Sequence, residues 1–192
     1  MTHYSLDTNV RNTIYFILAA ISILTFVVLQ QLKEFLSYDL VAPSAMVIFG
    51  TTVFLYDIFI WKTKPFQWIT GIPDLNGKWE GEIISWVSLS AHEKLNVSAT
   101  ITQTFSRIQV AFETDSTESI SGVSGLYVDN RSRRALKYSY NFRSKNGLEQ
   151  EKTRGEGFNE LIYSEAGNGI RLEGPYFGTN GRSGLVKLRK CN

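Results

Sequence analysis

Three tyrosines with hydroxyl, amide and guanidinium neighbours are the residues of this chain best suited to chemistry with a ligand. Tyr138 and Tyr140 lie two apart, with Asn141 and Arg143 just beyond them. Tyr176 is followed by Thr179 and Arg182 in a glycine-rich stretch, and Arg154 precedes Gly155 and Gly157. Aromatic faces stack on nucleobases, and guanidinium groups with hydroxyls hold phosphate oxygens. On that chemistry Tyr138, Tyr140 and Tyr176 are candidates for stacking or hydroxyl contacts. Arg143, Arg154 and Arg182 are candidates for phosphate, and Asn141, Thr179 and Gln103 for polar groups that orient a ligand. The competing reading is that Tyr138 and Tyr140 are core filling with their hydroxyls at a barrel mouth.

Catalysis has little material. The two histidines are His3, in the N-terminal tail, and His92, in an expected turn, and the one cysteine is Cys191. They offer no Ser-His or Cys-His constellation and no metal-ligand spacing. There is no glycine-rich phosphate loop or dinucleotide fingerprint. Glu80, Glu82, Glu156 and Glu160 recur at period two, as on the wet face of strands. The expectation is a binding protein that is not an enzyme and takes no metal or cofactor. One cysteine forms no internal disulfide, so an oxidising compartment is not required.

The elements that must position these residues are short strands. Beyond Gly71, Pro73, Asn76 and Gly77 the chain alternates with period two. Strands are expected over about 78–86, 95–105, 108–113, 119–127, 135–143, 153–163, 169–176 and 184–190. Turn signals between them include Asp129-Asn130, Asn146-Gly147, Asn168-Gly169 and Asn180-Gly181. Eight strands with hairpin-length connections point to an antiparallel up-and-down, lipocalin-like barrel, which is wide enough to hold one small ligand. Gly77-Lys78-Trp79 resembles the G-x-W start of lipocalin-like barrels, and Trp79 is expected to close one end.

Two apolar segments precede the barrel. Residues 13–32 carry no charge, and residues 40–61 carry only Asp57. Each meets the roughly 20 apolar residues a bilayer-spanning helix needs, and the short connection forces a hairpin. A cleaved signal peptide is a poor fit, because the first segment is long and a second one follows. Lys62 and Lys64 beyond the hairpin favour both termini on the cytoplasmic side. Pro43, Gly50 and Asp57 recur every seven residues and are expected near one helical face, for packing within the hairpin or between protomers. Asp57 lies one turn before Trp61 and Lys62, near the expected interface. Residues 1–71 thus read as a tail and transmembrane hairpin, and residues 72–192 as a soluble ligand-sensing barrel. The formal net charge is +2. No run of like charge suggests a DNA or RNA partner; Arg131, Arg133, Arg134 and Lys137 form the densest basic cluster.

An ordered set of short motifs carries a resemblance. After the hairpin come Asp74-Leu75-Asn76-Gly77-Lys78-Trp79-Glu80-Gly81 and Ile101-Thr102-Gln103-Thr104-Phe105. Thr114 with Ser119 and Ser121 follows, then Leu136-Lys137-Tyr138-Ser139-Tyr140-Asn141, Leu172-Glu173-Gly174-Pro175-Tyr176-Phe177 and Gly184-Leu185-Val186-Lys187-Leu188. The chain resembles, over nearly its whole length, the two-transmembrane β-barrel effectors of bacterial cyclic-oligonucleotide-based anti-phage signalling systems (CBASS). The resemblance implies an inner-membrane protein whose barrel binds a cyclic dinucleotide made in response to phage. It further implies that protomers then oligomerise and disrupt the membrane lipid, killing the infected cell. It leads one to expect a histidine ahead of the small-residue strand, where this chain has Thr153-Arg154-Gly155. Two other readings remain at this point: a membrane-tethered carrier of a small apolar ligand, and a membrane scaffold with a filled barrel.

Overall fold

The structure, a computed structural model, describes residues 2–6, 10–36, 43–88, 91–129, 133–145, 154–166, 169–179 and 181–191. The chain divides into two compact units, Thr8–Ile72 and a second made of Met1–Asp7 with Pro73–Asn192.

The first unit is helical. Helix α1 spans Val10–Leu36, α2 Ala45–Ile58 and α3 Lys64–Thr70, with a 3-10 turn at Ile60–Lys62. No glycine or proline interrupts α1, so its backbone ladder runs unbroken. Val10–Phe35 and Ala45–Lys62 are both long and apolar enough to cross a membrane. Several of their hydroxyls bond carbonyls within the helix, a pattern that suits apolar surroundings. Ser22 donates to the Leu18 carbonyl at 2.7 Å, Thr25 to Ile21 at 2.8 Å and Thr52 to Ile48 at 2.8 Å. Large apolar side chains such as Phe16, Leu24, Met46 and Phe54 stay exposed.

The spacing of Pro43, Gly50 and Asp57 does not survive as a helical face. Ser44 caps α2, its Oγ accepting from the Val47 N–H at 3.3 Å, so Pro43 lies outside the helix. Proline has no N–H to give a helix and fits best before or at its first turn. Gly50 and Asp57 do lie on α2, and a Cβ at Gly50 would meet nothing within 4 Å. Within the described residues Gly50 is therefore not a close-packing point. Pro65 starts α3, and Gly71 ends it in the left-handed conformation, φ 71°.

The second unit is the barrel. Its strands are β1 (Thr2–Leu6), β2 (Gly77–Ser88), β3 (Ala91–Gln103), β4 (Arg107–Glu113), β5 (Thr117–Asp129), β6 (Arg133–Ser144), β7 (Arg154–Ala166), β8 (Gly169–Gly178) and β9 (Ser183–Lys190). Strands β2 to β9 pair antiparallel in chain order, and β9 closes on β2 through Trp79↔Lys190 to Ser85↔Gly184. This is the expected eight-stranded up-and-down barrel. His92 falls on β3 rather than in a turn.

One strand was not anticipated from the sequence. β4 and β5 pair directly only over Ala111–Glu113 and Glu118–Ile120. Beyond that they separate, and β1 fills the gap, antiparallel to β4 and parallel to β5. At the fork, Ser121 Oγ accepts the Val110 N–H at 2.9 Å, so the parting backbone is not left unpaired.

Trp79, expected to close one end, is fully buried there. Its indole N–H donates to the Leu75 carbonyl at 3.0 Å. Residues Asp74 to Asn76 form a strap fixed to the barrel. Leu75 N–H donates to Gln103 Oε1 at 2.9 Å, Gln103 N–H to Asn76 Oδ1 at 2.6 Å, and Lys190 Nζ to the Asp74 carbonyl at 2.9 Å. Beside Trp79 the interior is apolar, with Ile101, Ile108, Leu136, Leu161 and Leu172 almost completely buried.

Candidate functional site

The other end of the barrel is built differently. There the inward positions carry aromatic rings paired with glycines across the strands. Tyr140 pairs with Gly157, Phe142 with Gly155 and Tyr176 with Gly184. A Cβ at Gly157 would come within 2.2 Å of the Tyr140 ring, one at Gly155 within 2.5 Å of Phe142, and one at Gly184 within 2.7 Å of Tyr176. Each ring lies against the wall over a residue without a side chain, leaving the lumen unfilled at this end. Four rings form a ladder down one wall, with centroid separations of 6.3 Å for Phe142–Tyr140, 6.4 Å for Tyr140–Tyr138 and 6.2 Å for Tyr138–Phe112.

The result is a cavity of about 120 Å³. A polar belt lies between the cavity and the apolar end. In it Asn159 Nδ2 donates to the Tyr138 hydroxyl at 2.5 Å, and the Ser85 and Tyr176 hydroxyls share a hydrogen bond of 2.5 Å. Thr114, Thr117 and Ser119 add hydroxyls at the mouth, where the first two share a bond of 2.8 Å. Among the described lining residues, Arg182 carries the only full charge. Burial, and then the nearby Tyr176 hydroxyl, push the Tyr140 phenol up to about 12. Burial raises Tyr138 further, against the lowering effect of its bond to Asn159. Both are therefore neutral hydroxyls at physiological pH.

The structure brings Tyr140, Tyr176 and Arg182 together around the cavity. Tyr138 lies just beneath, fully buried in the belt. The other candidates lie elsewhere. Gln103 is at the closed end, held by Leu75 and Asn76, and has no access to the cavity. Asn141, Arg143 and Arg154 point out of the barrel and line a second, open depression of about 600 Å³ with Glu118, Glu156 and the edge of Phe142. There Arg143 forms an ion pair with Glu118. Thr179 is exposed and clamps Glu156, donating its N–H to the Glu156 carbonyl at 2.8 Å. The separation follows from the pleat: with Tyr138 and Tyr140 facing in, Asn141 and Arg143 must face out.

Asn159, Ser85 and the Thr114–Thr117 pair were not singled out from the sequence. Asn159 had a signal: it shares the period-two face of Gly155 and Gly157, where a polar residue must be inside. Two members of the basic cluster are paired on the outer wall. Arg134 pairs with Glu165 at 3.4 Å and lies over Tyr163; Lys137 pairs with Glu160 at 3.1 Å and lies over Tyr127. Arg131 lies outside the described residues.

An up-and-down barrel with one closed, apolar end and one open, aromatic and hydroxyl-lined end has the form of a small-ligand binding domain. A family model described as "Cap15, cyclic dinucleotide receptor domain" matches residues 70–190, and the chain belongs to that family. The match takes in the strap, Trp79 and every cavity residue named above. No curated protein matches the chain. The receptor-domain family, the closed barrel and the two N-terminal helices of membrane-spanning length together fit an effector of the CBASS type. A receptor domain, rather than a known catalytic family, also fits the scarcity of catalytic residues in the sequence.

Proposed function

We propose that this protein is a membrane-anchored receptor and effector of anti-phage defence. It binds a cyclic dinucleotide at the open end of its barrel, oligomerises, and disrupts the bacterial inner membrane through its hairpins. The observation that carries this reading is the cavity framed by Tyr140, Tyr176 and Arg182 in a chain of the cyclic dinucleotide receptor family. At about 120 Å³ the cavity is smaller than the roughly 300 Å³ at which drug-sized pockets begin. It therefore suits one base inserted among the aromatic rings, with the sugar-phosphate ring at the mouth near Arg182 and the hydroxyls. Arg143 and Arg154, on the outer wall close to the rim, can add long-range attraction for the two phosphates. The polar belt disfavours an apolar cargo, and the open lumen disfavours a filled scaffold.

Assembly then follows if the ligand binds the assembled state more tightly than the monomer. The barrel and both termini are cytoplasmic in this reading, where a soluble second messenger is present, and Lys62 and Lys64 stand on that side of the membrane. Asp57 on α2 is the carboxylate that a membrane-perturbing state could use.

The test is calorimetric titration of the full chain in detergent micelles with a panel of cyclic dinucleotides, followed by sedimentation with and without ligand. Saturable binding to one member, with a shift to larger species, is expected. Binding without a shift would remove the assembly step. No binding by any member would remove the receptor reading. Dye release from vesicles carrying the full chain, on ligand addition, tests the membrane step. Full release by an Asp57→Leu variant would show that the carboxylate has no part in it.

A further inference from the structure

The polar belt contains one side chain whose hydrogen bonding is half complete. Asn159 is 4% exposed and stands in register between Tyr138 and Tyr176. Its Nδ2 donates to the Tyr138 hydroxyl, while its Oδ1 has no partner. A buried acceptor left unanswered is destabilising. Its register neighbour Tyr176 shares a hydroxyl hydrogen bond of 2.5 Å with Ser85. Beneath lies the apolar end. On its remaining side Asn159 lines the cavity, so the donor it lacks can come from an occupant of that cavity.

The geometry points to Asn159 as the residue that selects the base, its Oδ1 accepting a hydrogen bond from an exocyclic amino group; this rests on the cavity being the cyclic dinucleotide site. Tyr138 is the positioning residue. By accepting from Nδ2 it holds Oδ1 toward the cavity in this structure. Adenine, guanine and cytosine carry the amino group. Uracil offers that acceptor only a ring N–H flanked by two carbonyl oxygens, whose repulsion weakens the bond. The favoured ligand class is therefore a cyclic dinucleotide with at least one amino-bearing base. A buried acceptor discriminates against a base that answers it poorly.

The experiment is titration of the full chain in micelles with cyclic di-AMP, di-GMP, di-CMP and di-UMP, for the native protein and for Asn159→Leu and Tyr138→Phe. In the native protein at least one amino-bearing ligand should bind about tenfold or more tightly than cyclic di-UMP. Asn159→Leu should shrink that ratio to about threefold or less while keeping a cooperative melt, at a lowered midpoint because the buried Tyr138 hydroxyl loses its partner. Tyr138→Phe should also shrink it, because the freed carboxamide can turn and offer Nδ2 to a carbonyl. A merely structural Tyr138 would lower all affinities in step and leave the ratio unchanged. If Asn159→Leu shows no cooperative melt, Tyr138→Phe decides. Tightest binding of cyclic di-UMP, equal binding of all four, or an unchanged ratio in the folded variants overturns the inference alone. Binding of none overturns it together with the receptor reading beneath it.

Discussion

The two ends of this barrel are made from the same strands and differ in almost every other respect. At the end closed by Trp79, inward positions carry leucine and isoleucine, a strap crosses the opening, and backbone and amide groups bond one another. At the open end the inward positions carry glycines, hydroxyls and rings lying against the wall, and the lumen stays open. The contrast teaches that stability and recognition are divided along the barrel axis. A close-packed lumen stabilises but has no room for a ligand; a ligand-sized lumen forfeits those contacts. Concentrating the packing at one end lets the other remain unfilled.

The largest effect is expected at the closed end. Trp79→Ala removes a fully buried indole and its bond to Leu75, and should cost about 3–5 kcal/mol, read as a lowered melting temperature or denaturant midpoint. An unchanged melt would mean that this end does not carry the stability. Gly157→Ala tests the boundary between the two roles. Its Cβ would meet the Tyr140 ring at 2.2 Å and the Phe177 carbonyl at 2.6 Å, so the ring must leave the wall and enter the cavity. A loss of about 1–3 kcal/mol is expected, together with a drop in ligand affinity of at least about tenfold. Loss of stability without loss of affinity would break the link between the glycines and the open lumen.

Smaller effects sharpen the comparison at the open end. Arg182→Ala should lower affinity by about tenfold, and flatten its salt dependence, with stability within about 0.5 kcal/mol of native. Arg143→Ala should change affinity by about threefold or less, since Arg143 lies on the outer wall beside Glu118. Equal losses in the two would move the phosphate contacts outside the barrel.

The smallest effect is a titration. With Tyr140 near 12 and Tyr138 raised further, native phenolate absorbance should lag the usual tyrosine curve. Below about pH 10 both folded and unfolded chains keep these protons, and the contribution to stability is intact. Between about 10 and 12 the unfolded chain releases protons that the native chain retains, so stability falls as pH rises. Tyr140→Phe should weaken that fall in a series of melts across this range.

How much of this was legible follows from what each residue depends on. Strand positions follow from period-two alternation, a local property, and the eight strands appear where the pattern put them. The hairpin follows from segment length and apolarity. Arg143 and Asn141 are close neighbours of Tyr140 in sequence, but parity along β6 turns them to the opposite face. Arg182 escapes parity because it stands between strands, and its place at the cavity is set by the turn from β8 to β9. Gln103 faces inward as its parity requires, but the depth of an inward residue depends on where its strand starts relative to the closure, and that put it under the strap.

The sequence by itself determined the elements, their order, the alternation of faces and the apolar length of the hairpin, because each is encoded within a few residues of chain. Tertiary structure alone decided which rings lie over which glycines, that β1 fills the gap between β4 and β5, and that Asn159 is left with an unanswered oxygen. These depend on cross-strand register and barrel closure, which join residues far apart in sequence and leave no local trace.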